Sequence, residues 1–106
     1  MNQRLEKLLK MNDEKQTEFV LFALAKEYEQ IGDTQNALNY YQILEKDYEN
    51  NTGFYYHFAK LLFQMQEITR FREIIKKGQE VCKAQKDTHA LAELTGLYNE
   101  CIEDDE

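Results

Sequence analysis

The side chains suited to chemistry are few. The chain holds two histidines, His57 and His89, and two cysteines, Cys82 and Cys101. Neither histidine sits in a metal-binding spacing such as His-Glu-x-x-His. A structural zinc site wants four ligands, and Cys82, His89 and Cys101 offer three that only an accident of folding would join. A Cys–His nucleophile needs an exposed thiol, whereas the helical period turns Cys82 inward. His57 reads as a partly exposed polar neighbour of aromatic residues rather than as a base. The four glycines, Gly32, Gly53, Gly78 and Gly96, are isolated, so no phosphate-cradling loop exists. Gly78, inside a helical pattern, implies close helix packing instead. The expectation is a chain with no catalytic residue, no metal and no cofactor.

The elements that would position any site are helices. The chain has 106 residues, no proline and no tryptophan. So little turn punctuation opposes a β-sandwich or barrel and implies an all-α fold. An apolar fraction of 42% with 31% charged residues is that of a globular domain. The formal charge of −7 opposes nonspecific nucleic-acid binding, which needs a dense basic surface. Residues 1–10 lack the apolar core of a signal peptide. The longest apolar run, 19–25, is far short of the roughly 20 residues that span a membrane. Cytoplasmic location, free buried thiols at Cys82 and Cys101, and no membrane or nucleic-acid partner are the matching expectations.

Apolar residues recur every three or four positions, the period of one helical face. The stripes predict helices over 3–11, 14–31, 34–48, 53–65, 68–84 and 88–103. Gly32 suits the left-handed residue that ends a helix, and Asp33 or Thr34 can cap the next. Thr52 can cap the fourth helix, and Asp87 or Thr88 the sixth. Short connections predict antiparallel helical hairpins.

Sliding the chain on itself by 34 residues aligns the pattern. Leu21 falls on Tyr55, Leu24 on Phe58, Ala25 on Ala59, Lys26 on Lys60 and Gln30 on Gln64. In this the chain resembles the tetratricopeptide repeat family, which has a 34-residue helix–turn–helix period. Leu21, Leu24, Ala25, Tyr28, Gly32, Asp33, Ala37 and Tyr41 stand where that family places its large, small and turn residues. The second unit keeps Tyr55, Phe58, Ala59 and Leu62 but has Gln66 for the turn glycine and Phe71 for the small alanine. Neither unit has the usual closing proline. The order of segments also resembles small, stand-alone bacterial members of the family. The resemblance covers residues 14–103. It implies repeats over 18–51 and 52–85 and a capping helix over 87–103, stacked as a short right-handed superhelix. Residues 1–13 are then a short helix and linker, and 104–106 an acidic tail. The leading helix can cover the first hairpin with Leu5, Leu8 and Leu9; an open end would favour a homodimer.

The resemblance further implies a concave groove that binds a peptide or protein segment, with no catalysis. Its groove positions are Phe19, Phe22, Lys26 and Glu29, then Tyr56, Lys60, Phe63 and Gln64. Leu94, Leu97 and Tyr98 would form the far wall. Aromatic rings would supply apolar area and the two lysines would orient a carboxylate. Equally, the rings can be core, and the lysines can be solvated or paired with Glu29 and other acids. The Lys, Asn and Arg clamp by which one subclass holds chaperone C-termini is not matched at Phe22, Tyr56, Lys26 and Lys60. An alternative function is a structural or assembly subunit joined through an exposed helix face.

Charge is uneven. Residues 68–86 carry six Lys and Arg against two Glu, and residues 87–106 carry seven acids with no Lys or Arg. Neighbouring helices of opposite sign can neutralise one another, or the basic helix can serve an acidic partner.

Overall fold

Short polar side chains decide where most of the helices begin, because the first turn of a helix has N–H groups with no partner inside it. The computed structural model describes residues 2–102, which form six helices. In α1 (Gln3–Glu14), Asn2 Oδ1 accepts from the Leu5 N–H at 3.0 Å. In α2 (Glu18–Gln30), Thr17 Oγ1 accepts from Val20 at 3.2 Å. In α3 (Thr34–Asp47), Asp33 Oδ1 accepts from Asn36 at 3.1 Å. α4 (Tyr55–Gln64) and α5 (Ile68–Gln85) start without a side-chain cap. In α6 (Thr88–Ile102), Asp87 Oδ1 accepts from Ala90 at 3.0 Å. No strand occurs among the described residues, and the fold is all-α.

Two boundaries differ from the sequence expectation. The first break lies at 15–17 rather than 12–13, because Lys15 is extended (φ −160°) and Thr17 supplies the cap. Thr52 does not cap the fourth helix. Its hydroxyl donates to Asp87 Oδ2 at 2.6 Å, and α4 begins only at Tyr55. The expected acidic tail, 104–106, and the last residue of the expected capping helix lie outside the described residues.

The helix ends repeat. Gly32 is left-handed (φ +83°), its N–H reaches Glu29 O, and the Asp33 N–H reaches Tyr28 O. Thirty-four residues on, Gln66 is left-handed (φ +63°), with Gln66 N–H to Phe63 O and Glu67 N–H to Leu62 O. This is the same C-terminal cap, built once on glycine and once without it. A left-handed side chain costs energy that glycine avoids. Gln66→Gly is expected to raise stability by up to about 1 kcal/mol, read by urea denaturation; a lower midpoint counts against that strain. Lys86 (φ +58°) closes α5 by the same pattern.

The chain divides into two compact units, Met1–Tyr48 and Glu49–Glu106. In the first, α2 packs on both α1 and α3. The three residues between α2 and α3 permit only an antiparallel hairpin. Leu8, Val20 and Leu24 form a buried cluster, with Leu5, Leu9, Ala23, Tyr28 and Tyr40 packed against it. α1 therefore covers the first hairpin. Glu27, a buried carboxylate, fastens it further: it accepts from Asn2 Nδ2 at 2.9 Å and pairs with Arg4 Nε at 2.9 Å. In the second unit α4, α5 and α6 pack mutually. Phe54, Tyr55, Phe58, Phe71, Ile74 and Leu94 are wholly buried there. Gly78 lies where an added Cβ would meet Tyr55 Cβ and Leu94 Cδ1, each at 2.8 Å.

Thr52 and Asp87 tie the loop before α4 to the α5–α6 turn. The Thr52 hydroxyl, then the Ala90 N–H, hold the Asp87 carboxyl below its ordinary value of 3.8. A depressed folded value stabilises above the unfolded value, and that stability is lost as pH falls through the folded one. Asp87→Asn is thus expected to be less stable than wild type at neutral pH. The gap should narrow on acidification below about pH 4, as thermal melts across pH will show.

Candidate functional site

The sequence singled out one face of α2 and one of α4, and each is described within its own unit. On α2, Phe19 is 73% exposed. Phe22 is half-buried, edge-on to the buried Tyr41 ring at 6.4 Å and 67°. Lys26 Nζ lies 3.7 Å from Glu29 Oε2, an i,i+3 pair. Glu29 also accepts a hydrogen bond from the Tyr41 hydroxyl. Burial, and behind it Glu29, push that phenol far above its ordinary value, so it stays a donor. Glu29 is therefore a structural partner of α3 more than a groove acid.

These side chains border a real depression. Arg4, Phe19, Phe22, Ala23, Lys26, Glu27 and Gln30 line a groove of about 470 Å³. Sequence reasoning missed Arg4 and Glu27. A signal existed: Glu27 continues the apolar step of Val20 and Leu24, and a charge on a core face must have a partner. That the partner would be Arg4 needed the packing of α1. The groove thus mixes an exposed ring, two cations and a buried acid that already holds one of them.

On α4, Lys60 and Gln64 are exposed, and Tyr56 and Phe63 are half-buried. Tyr56 stands edge-on to His57 at 5.3 Å, and Phe63 contacts Phe71 at 5.2 Å. Two of the four rings, Phe22 and Phe63, thus turn part of their surface to the core. Of the far-wall residues, Leu94 and Leu97 are buried and Tyr98 is half-buried.

The residues with chemical reactivity are otherwise engaged. Cys82 is wholly buried and Cys101 half-buried, both free thiols. Burial, then Asp87, raise the Cys82 thiol; burial, then Glu100, raise Cys101 against a small opposing effect of Lys60. Such thiols are poor nucleophiles at neutral pH. His89 Nε2 lies 3.7 Å from Glu93, one turn along α6. A polar depression of about 590 Å³ sits among residues 50–52 and 85–89 of the second unit. No cluster of three or more His, Cys, Asp or Glu able to hold a metal occurs among the described residues. No helix among them is long and apolar enough to cross a membrane.

Comparison with protein-family profiles, with curated proteins and with solved structures finds no match to this chain.

Proposed function

We propose that the chain is a non-catalytic, cytoplasmic protein–protein interaction module of the tetratricopeptide type. In this reading two helical repeats and a closing helix stack as a short right-handed superhelix. As the family resemblance implies, its concave side holds a peptide or protein segment. The observation that carries the reading is the 34-residue phase shared by sequence and backbone. The left-handed caps at Gly32 and Gln66 and the lysines Lys26 and Lys60 recur at that interval. The exposed Phe19 and the groove beside it supply apolar area, and Lys26 and Lys60 supply charge. The test is Lys26→Glu with Lys60→Glu. Helicity by circular dichroism should be unchanged, while a partner captured on the wild type binds the variant at least about tenfold more weakly. Equal binding to both proteins refutes the assignment of this face.

A second reading is an assembly subunit that associates through an exposed helix face. Phe19 at 73% and Ile31 at 50% exposure favour it. Sedimentation velocity separates the two readings. Self-association that grows with concentration and vanishes in Phe19→Ser selects the second; a monomer at all concentrations counts against self-assembly.

A further inference from the structure

α5 concentrates the positive charge of an otherwise acidic chain. Arg72, Lys76 and Gln79 succeed one another by four and three residues, so they share one face of that helix. Beside it runs a groove of about 350 Å³, to which α6 contributes the neutral residues Thr95, Tyr98 and Asn99. Among the described residues, no carboxylate lines this groove. Three acids of the second unit are paired with cations outside the groove lining. Glu73 pairs with Arg70, Glu49 with Lys77 and Glu93 with His89.

Arg72 is held in place by an aromatic stack. Its Nη1 donates to the Tyr98 hydroxyl at 2.7 Å, and its Cζ lies 5.7 Å over the Tyr98 ring. That ring lies parallel to the buried Phe71 ring at 6.3 Å. A guanidinium fixed this way keeps further N–H donors for a planar, two-pronged grip on a carboxylate. Pre-positioning also lowers the ordering cost of binding. Lys76, one turn further, makes no ion pair among the described residues. The Cα atoms of Arg72 and Lys76 stand about 6 Å apart along the helix axis. Alternate residues of an extended chain are separated by about 6.8 Å.

We infer that the α5–α6 groove of the second unit binds an extended acidic segment of a partner protein, Arg72 taking one carboxylate and Lys76 a second two residues along. A phosphate backbone fits less well. The net charge is −7, and Glu73, Glu80 and Glu100 interleave along the same two helices. The inference does not depend on the α2 and α4 faces, and its test leaves Lys26 and Lys60 intact.

The probe is a fluorescein-labelled peptide of alternating Glu and Ser, followed by anisotropy at low ionic strength. Wild type should bind it and should ignore a peptide of alternating Gln and Ser. Arg72→Gln with Lys76→Gln should weaken binding on the order of tenfold or more. Lys7→Gln with Lys10→Gln, which removes the same charge from α1, should change it little. Tyr98→Phe, which frees Arg72, should weaken binding by less than the double variant does. Lys76→Gln alone, at an exposed position, gives the same direction without risk to folding. The inference falls if the Glu-Ser peptide does not bind, if both double variants lose binding equally, or if labelled oligothymidine binds the same face more tightly.

Discussion

Phe71→Ala is expected to cost about 3–5 kcal/mol, among the largest effects of any single truncation in this chain. Phe71 is the fourth residue of α5 and has no exposed surface. Its ring contacts Phe63 at 5.2 Å and lies parallel to Tyr98 at 6.3 Å. The position thirty-four residues earlier, the fourth residue of α3, is Ala37, also wholly buried. If the 34-residue shift carried packing as well as pattern, alanine at 71 would be harmless. The packing says otherwise, because removing the ring opens a void between Phe63 and Tyr98. Urea denaturation followed by circular dichroism is the measurement, since the chain has no tryptophan. A loss below about 1 kcal/mol would show that the void collapses. Loss of the ring also removes the support of Tyr98, and with it the fixed position of Arg72.

The complementary substitution is Gly78→Leu, expected to cost roughly 3 kcal/mol by overpacking. Leucine is what the chain carries thirty-four residues earlier, at Leu44, which is 1% exposed. At 78 even a Cβ would lie 2.8 Å from Tyr55 Cβ and 2.9 Å from Tyr55 Cγ. Leu94 Cδ1, at 2.8 Å, can rotate away, but Tyr55 Cβ is fixed to the backbone of α4. The helix propensity gained on replacing glycine, about 1 kcal/mol, offsets only part of this. Gly78→Ala should fall between wild type and Gly78→Leu. Unchanged thermal midpoints for both variants would mean that the α4–α5 spacing is soft.

Both positions differ between the two segments that the 34-residue shift aligns. They are seven residues, two helical turns, apart on one face of α5. The first repeat has small then large (Ala37, Leu44), and the second has large then small (Phe71, Gly78). The large residue thus stands two turns earlier in α5 than in α3. A core constrains the summed volume of its side chains more than their order. The departures at 66 and 71 were visible in the sequence. Their compensation was not, since it rests on which side chains of α4 and α6 lie opposite.

The candidate face was legible to a similar depth. The i,i+3 pairing of Lys26 with Glu29 could be expected from spacing alone, and the structure contains it. The engagement of Glu29 by Tyr41, and of Arg4 by Glu27, could not. Each joins residues on different helices. The basic helix was read as neutralised by its acidic neighbour or as open to a partner. The structure gives Arg72 a tyrosine hydroxyl instead of a carboxylate, and Lys76 no ion pair among the described residues.

The sequence by itself determined the six helices, the caps at Gly32, Asp33 and Asp87, and the 34-residue phase. Those depend on hydrogen bonds three or four residues apart and on the apolar period of one face, which are local quantities. Only the tertiary structure decided that α1 covers α2, and that Thr52 serves Asp87 rather than its own helix. It alone decided that Phe22 and Phe63 lean on the core while Phe19, Lys60 and Gln64 face outward. Burial is set by partners that lie far away in sequence. A helical period says which residues share a face, and only packing says what covers it.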